Sequence, residues 1–148
     1  MEPEKRFSPE CDFCDIARGE DPAWFIYEKE AVIAFLPLKP VVDGHTLVVP
    51  RTHVRTLWEL QRHLASDLIG AVVKVAGAIN RTLTPDGLNL IQSNGDAASQ
   101  TIFHVHFHLV PRWESDSMGD IWPPSFSMSV ERKAETVEAL RGALAEGE

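Results

Sequence analysis

The run TIFHVHFHLVPRW, residues 101–113, constrains the fold of this chain more than any other segment. Three histidines stand there at alternate positions, His104, His106 and His108, and the residues between them are apolar. Because successive side chains of a β-strand point to opposite faces, this alternation predicts a strand with one apolar face and one histidine face. Neighbouring imidazoles on that face are expected about 6.6 Å apart, close enough to share a phosphate or a hydrogen-bond relay.

The remaining segments predict an α+β fold built on an antiparallel sheet. Strands are predicted at WFIYE, AVIAFLPL, HTLVVP and LNLIQS, a short helix at CDFCDIARGED that ends near Gly19, a mostly helical segment over residues 57–83, and a final helix capped by Ser129. The strands follow one another in pairs rather than alternating with helices, which favours antiparallel pairing. The apolar side chains of the final helix are expected to face inward: Val130, Ala134, Val137, Leu140 and Leu144.

Size and charge limit the classes of function. The 148 residues suffice for one domain over residues 1–148, with residues 1–10 as a flexible arm and residues 113–148 as a C-terminal loop and helix. A net charge of −8 argues against a dedicated nucleic-acid binder, which needs a basic patch. There is no continuous apolar run of membrane-spanning length. The polar N-terminal segment and the presence of only two cysteines favour a cytoplasmic protein.

The histidine face suggests nucleophilic chemistry. A neutral imidazole is a good nucleophile near pH 7, and His106 has a histidine on each side to orient it and to stabilise charge on a phosphoryl group. Two alternatives remain at this point: a polar strand face without a catalytic role, and an H-x-H metal site of the kind found in cupin barrels. A cupin requires a mostly β chain, and the long helix argues against one.

Four segments resemble the histidine triad (HIT) family. HVHFHLV is similar to the family signature, in which three histidines alternate with apolar residues. CDFCDIARGEDPAWFIYE, KPVVDGHTLVVPRTHV and SQTIF are similar to three other family segments, so the resemblance covers roughly residues 11–113. It implies a five-stranded antiparallel sheet with one long and one short helix plus a C-terminal helix. It also implies a homodimer with a continuous ten-stranded sheet.

The resemblance further implies hydrolysis or transfer at the α-phosphate of a purine nucleotide through a nucleotidyl-histidine. By position, His106 is the nucleophile, His108 and His45 lie close to the phosphate and its proton network, and His104 supports the site. Purine nucleoside phosphoramidates and dinucleoside polyphosphates are the two expected substrate classes. A non-catalytic nucleotide-binding adaptor or sensor is the alternative. The expected substrate contacts are Gln100, Thr101, Asn94 and Ser93.

Three positions depart from the family pattern. Pro37 stands where many members carry an Asp or Asn that grips the ribose hydroxyls. Ser99 replaces a common Gly, and Ser93 replaces a polar amide, with Asn94 next to it. These departures concern nucleoside binding more than chemistry at phosphorus.

The cysteines form a C-x-x-C motif, Cys11 and Cys14, which alone is compatible with a redox pair, half of a metal site or neither. Several bacterial members of the family complete a four-ligand zinc set with two histidines, which correspond here to His53 and His104. The resemblance therefore implies a structural zinc and no catalytic organic cofactor. Two buried free thiols are the alternative. His63 is expected at the surface.

The segment after the histidines carries mixed signals about the leaving group. PRW followed by an acidic residue, at Trp113, resembles the dinucleoside-polyphosphate and adenylyltransferase relatives. WPP, beginning at Trp122, resembles the C-terminal element of the phosphoramidase branch. Both tryptophans are equally compatible with ordinary packing.

Overall fold

The computed structural model describes residues 8–147. The predicted N-terminal arm falls largely outside the described residues, which begin at Ser8. Contacts group the chain into two compact units, one ending at Ser117 and the other beginning at Met118. The first unit holds the sheet and two helices, and the second holds the C-terminal helix.

The first unit is a five-stranded antiparallel sheet. Along the chain its elements are α1 (Asp12–Arg18), β1 (Trp24–Glu28), β2 (Val32–Leu36), β3 (Thr46–Pro50), α2 (Arg62–Leu83), β4 (Gly87–Ile91) and β5 (Phe107–Arg112). The strand order is β1-β2-β3-β5-β4, with every neighbouring pair antiparallel. The predicted fold class is thus confirmed. No helix within residues 8–147 is long and apolar enough to cross a membrane.

The two faces of the sheet bury separate hydrophobic clusters. Alternate residues of β2 and β3, such as Ala34 and Val48, pack with Phe107 and Leu109 against α2. The residues between them, such as Phe35 and Leu47, pack against α1 on the opposite face. Because both faces are covered, β2 and β3 are apolar along their whole length rather than alternating. The face covered by α1 is the face that receives His108, whose register partner on β3 is Leu47.

Local signals explain where α1 and the turn before β3 lie. Cys11 caps the N-terminus of α1, where its sulfur accepts the Cys14 amide N–H, and Gly19 ends the helix with a left-handed φ of +78°. Gly44, directly before β3, also has a positive φ of +80°, and a Cβ there would collide with the Leu83 side chain. Both features require glycine, and Gly44 sets the direction from which His45 enters the sheet.

The structure corrects one prediction about the histidine segment. β5 begins at Phe107, so only His108 lies inside the strand, and His104 lies in a bend. The main chain before β5 is held instead by a 2.6 Å hydrogen bond from the Val105 amide to the Val54 carbonyl. The strand is therefore shorter than predicted, although His104 and His106 both contact Phe13 of α1 and so share the α1 side of the sheet, as expected.

The second unit contains α3 (Val130–Glu146), whose N-cap is Ser129, as predicted. The Ser129 hydroxyl accepts the Arg132 amide N–H. The prediction that the apolar side chains of α3 face inward is wrong, because these side chains are exposed. A single helix has no second element within its own unit against which to bury a face.

Candidate active site and metal centre

His106 is held in one tautomer by the main chain. Its Nδ1–H donates a 2.7 Å hydrogen bond to the carbonyl of His104, since a carbonyl oxygen can only accept. The Nε2 atom of the neutral ring therefore carries a free lone pair. His106 is 9% exposed, so this nitrogen belongs to a ring that is largely withdrawn from water. A positioned, unprotonated ring nitrogen is the requirement for a histidine nucleophile.

His45 and His108 form a hydrogen-bond relay beside His106. The Val41 amide donates to His45 Nδ1 at 3.2 Å, so the neutral His45 ring carries its proton on Nε2. This Nε2–H donates to His108 Nδ1 at 2.9 Å, which places the proton of neutral His108 on its own Nε2. The His108 ring lies 4.9 Å from the His106 ring, centroid to centroid. The structure thus brings together three of the four predicted catalytic histidines.

Burial keeps these rings neutral. It lowers the pKa of His45 and of His106 below the ordinary value for histidine. The pKa of His108 falls to about 4, first because the ring is buried and then because His106 and His45 would repel a positive charge on it. At neutral pH the relay is therefore a chain of uncharged donors and acceptors.

A lowered pKa in the folded state predicts a specific pH dependence of stability. An unfolded histidine titrates near pH 6.5, so the unfolded chain takes up a proton at this site before the folded chain does. The contribution of neutral His108 is complete above about pH 6.5 and is lost as the pH falls toward about 4. We expect the urea midpoint of the protein to fall more steeply over this range than that of His108→Gln. If the urea midpoints of the two proteins fall equally with pH, the pKa of His108 is not lowered by folding.

Phe13 is a site residue that the sequence interpretation missed. It lies between the two cysteines, is 4% exposed, and meets the His106 ring edge-on with 5.1 Å between centroids. It also contacts the ring of His104 at 5.8 Å. The available signal was an apolar residue within C-x-x-C on a short helix: of the two residues between the buried cysteines, Phe13 is apolar and buried, whereas Asp12 is exposed.

Two of the predicted substrate contacts are engaged within the protein. The Gln100 side chain is buried; its oxygen accepts the Gly95 amide, and its nitrogen donates to the carbonyls of Arg55 and Ile102. Gln100 therefore organises the loop ahead of the histidines.

Asn94 plays a similar part on the same loop. Its oxygen accepts the Leu57 amide at 2.7 Å, and its amide group pairs with the side chain of Gln92. The other two predicted contacts differ in accessibility, with Thr101 exposed and Ser93 half-buried. These four residues remain predictions as substrate contacts.

The two cysteines meet His53 and His104 in a second cluster. Cys11 Sγ and Cys14 Sγ each lie 3.5 Å from His104 Nδ1, and Cys14 Sγ lies 3.4 Å from His53 Nδ1. All four ligand atoms lie within 4.8 Å of one another. The ligand atoms of a tetrahedral zinc, with bonds of about 2.0–2.3 Å, lie roughly 3.3–3.8 Å apart. The donor set and its spacing therefore fit zinc.

The chemistry of the donors supports the same conclusion. His104 Nε2–H donates to the Pro50 carbonyl at 2.7 Å, which leaves Nδ1 unprotonated toward the cysteines. Burial raises the pKa of Cys14 to about 11 and lowers the pKa of His104 to about 4. A bound cation favours thiolates, so this pocket suits cysteine only as a neutral thiol or as a metal ligand.

The ring of His104 thus faces the cysteines and is separate from the relay. Its contribution near His106 is made by its main-chain carbonyl. His63, expected at the surface, is exposed on α2 and lines an open cleft of about 630 Å³ together with His53 and three carboxylates. This cleft is not lined by His106 or His108.

Comparison with known proteins agrees with this fold. A family model of the HIT domain matches residues 18–115, the greater part of the chain. The protein named Protein hit of Bacillus subtilis is 42% identical over 113 residues, which are 76% of this chain and 78% of that protein. An adenosine 5'-monophosphoramidase of Schizosaccharomyces pombe is 36% identical over 82% of this chain and 88% of its own length. The chain belongs to the histidine triad family.

Solved structures show the same architecture. A protein from Streptococcus mutans matches with a TM-score of 0.89 and 36% identity, covering 95% of this chain and 88% of that one. A zinc-bound histidine triad family protein from Mycobacterium smegmatis matches with a TM-score of 0.70 and 36% identity, covering 93% and 94% of the two chains. Zinc therefore occurs in a relative of this chain.

Proposed function

We propose that this protein hydrolyses or transfers a purine nucleotide at its α-phosphate, through a covalent nucleotidyl intermediate on His106. The observation that carries the proposal is the hydrogen bond from His106 Nδ1–H to the His104 carbonyl, because it leaves Nε2 free to attack. The neutral relay of His45 and His108 beside it supplies an oriented N–H donor. The name of the Schizosaccharomyces pombe relative, an adenosine 5'-monophosphoramidase, supports the same class of reaction.

The reaction proceeds in two displacements. In the first, the His106 Nε2 lone pair forms a bond to the α-phosphorus while the bond to the leaving group breaks, and the leaving group departs with a proton supplied by the histidine network. In the second, water forms a new phosphorus–oxygen bond, the phosphorus–nitrogen bond breaks, and the proton of water is taken up by the histidine network. Splitting one displacement in two lowers the barrier that each step must cross.

Product analysis with two substrate classes tests the proposal. The full-length protein is incubated separately with an adenosine phosphoramidate and with a dinucleoside polyphosphate, and AMP release is followed. Release from either compound supports catalysis, and the better substrate identifies the leaving group. Nucleotide binding without AMP release from any member of a broad panel would favour the alternative, a nucleotide-binding adaptor or sensor.

The end of β2 leads to a prediction about the sugar. Leu36, Pro37 and Leu38 offer no side-chain acceptor for a ribose hydroxyl. A site built to hydrogen-bond a hydroxyl rejects the analogue that lacks it by about 10⁴-fold or more, whereas a site without such a partner discriminates weakly. We therefore expect kcat/KM values for ribose and 2'-deoxyribose substrates to agree within about tenfold. Strong preference for ribose would show that another residue supplies the contact.

We further propose that the cluster of Cys11, Cys14, His53 and His104 holds a structural zinc. The ion would contribute coordination bonds that tie α1 to the end of β3 and to the histidine segment. We expect the purified protein to contain one zinc per chain and to show the absorption bands of tetrahedral cobalt–thiolate after exchange with Co²⁺. Chelation is expected to lower its melting temperature, since metal binding contributes to folding free energy. A purified protein that contains no zinc, and whose melting temperature does not change when a chelator is added, would refute the proposal.

A homodimer is proposed through β4 and α2. β4 is an edge strand whose Leu88 and Leu90 are 40% and 48% exposed, and on α2 the side chains of Ile69 and Val73 are exposed as well. Pairing of two β4 edges would give a ten-stranded sheet. Light scattering after gel filtration should report twice the chain mass, and Val73→Asp should shift the species toward monomer. A monomeric protein at micromolar concentration would contradict the proposal.

A further inference from the structure

The metal-ligand cluster and the proposed nucleophile share one residue. The side chain of His104 faces the two cysteines through Nδ1 and the Pro50 carbonyl through Nε2. The main-chain carbonyl of the same residue accepts the Nδ1–H of His106 at 2.7 Å. The group that selects the tautomer of His106 is therefore carried by a residue whose ring is held by the cluster.

The strand ladder does not provide this restraint. β5 begins at Phe107, so the main chain at residues 104–106 has no strand pairing. A main-chain hydrogen bond holds this segment from the Val105 amide to the carbonyl of Val54, which directly follows the cluster residue His53. Two contacts thus hold this short segment: the His104 ring lies against the cysteines of the cluster, and the Val105 amide bonds to the residue next to His53.

Phe13 makes a second connection. Its backbone lies between Cys11 and Cys14, so its place depends on how the two cysteines are held. Its buried ring contacts His106 at 5.1 Å and His104 at 5.8 Å, edge to face in both cases. Edge-to-face pairs have a preferred geometry, and this contact limits rotation of the His106 ring.

We propose that the Cys11–Cys14–His53–His104 cluster, together with Phe13, positions His106, so that the metal-bound state of the cluster keeps the nucleophilic nitrogen aligned. These residues are positioning residues, because none of the four ligands offers its side chain to the reacting atoms. This inference rests on the proposed role of His106. It extends that role by giving the cluster an effect on catalytic rate in addition to its effect on folding.

The test compares four preparations of the full-length chain: zinc-loaded, metal-depleted, zinc-loaded Phe13→Leu and zinc-loaded Phe25→Leu. Phe25 is the matched control, because its ring makes the same kind of contact with Phe35, at 6.2 Å, as Phe13 does at 5.5 Å. The first measurement is nitrogen-15 NMR of the His106 ring, which distinguishes a protonated Nδ1 from a protonated Nε2. The second is the single-turnover rate of His106 nucleotidylation at saturating substrate. The third is the dissociation constant of AMP.

In the zinc-loaded protein and in Phe25→Leu, we expect the His106 ring to show the NMR signals of the Nδ1–H tautomer alone. In the metal-depleted protein and in Phe13→Leu, we expect signals of both tautomers. The nucleotidylation rate should fall about 10- to 100-fold in the latter two, as it does when groups that orient a site are removed. The AMP dissociation constant should remain within about threefold. His53→Ala, which weakens the cluster without touching His106, should recover its rate when excess zinc is added.

An unchanged His106 signature and rate in Phe13→Leu, or in a metal-depleted protein that remains folded by circular dichroism, would overturn the inference. A protein that binds no metal would overturn it as well. Where the metal-depleted chain unfolds, zinc-loaded Phe13→Leu decides alone. A zinc-dependent His106 signature in a protein that never becomes nucleotidylated would leave the positioning intact and refute the proposed function instead.

Discussion

Replacing His106 with alanine is expected to abolish nucleotide turnover while leaving nucleotide binding largely intact. Among the three neutral rings of His45, His106 and His108, the nitrogen left with a free lone pair is Nε2 of His106, and the substitution removes it. Loss of a catalytic nucleophile costs about 10⁴-fold or more in kcat. Single-turnover kinetics with the better of the two substrate classes measures this loss. Mass spectrometry of rapidly quenched wild-type protein should show one added AMP moiety, and the adduct should be absent from His106→Ala.

The matched control is His63→Ala, because His63 is an exposed histidine on α2 and lies outside the relay. It is expected to retain the wild-type rate and the adduct. Turnover in His106→Ala within about tenfold of wild type would exclude a nucleotidyl-histidine at this position, since no nucleophilic catalyst survives the loss of its nucleophile at that level. AMP affinity, measured by calorimetry in both variants, shows whether the nucleotide site itself remains formed.

Substitution of His45 is expected to have the second largest effect. His45 accepts the Val41 amide with Nδ1 and donates through Nε2 to His108, so it determines which nitrogen of His108 carries the proton. Without it, His108 is free to place its proton on either nitrogen. Oriented proton donors contribute about 10²- to 10⁴-fold, and we expect kcat to fall by about 10²-fold or more in His45→Ala.

Two further variants at the same position separate the two ends of the ring. In His45→Gln the side-chain amide reaches the place of Nε2 and can still donate to His108. In His45→Asn the shorter side chain reaches the place of Nδ1 and keeps only the bond to Val41. We expect Gln to retain more activity than Asn. Equal activity of the two variants would indicate that His45 acts by filling space rather than by donating a proton.

Local signals in the sequence predicted most elements of the fold. The apolar stripe over residues 57–83 predicted α2, and Gly19 and Ser129 marked helix ends that the structure reproduces. These features were accessible because periodicity, caps and turns depend on residues within one or two turns of each other. The resemblance around HVHFHLV led to the family, which the comparisons confirm.

The sequence by itself determined which residues assemble: the histidines at alternate positions, the C-x-x-C pair, and the apolar segments that become the sheet. Tertiary structure alone decided what each histidine does, because main-chain groups fixed by packing select the tautomers of His45, His104 and His106, and the side chain of His45 then selects that of His108. Pro50 turns His104 toward the cysteines, Val41 sets His45, and the His104 carbonyl sets His106. A hydrogen-bond partner on a separate segment leaves no local pattern, and for that reason the division between the relay and the metal cluster emerged only once the chain was folded.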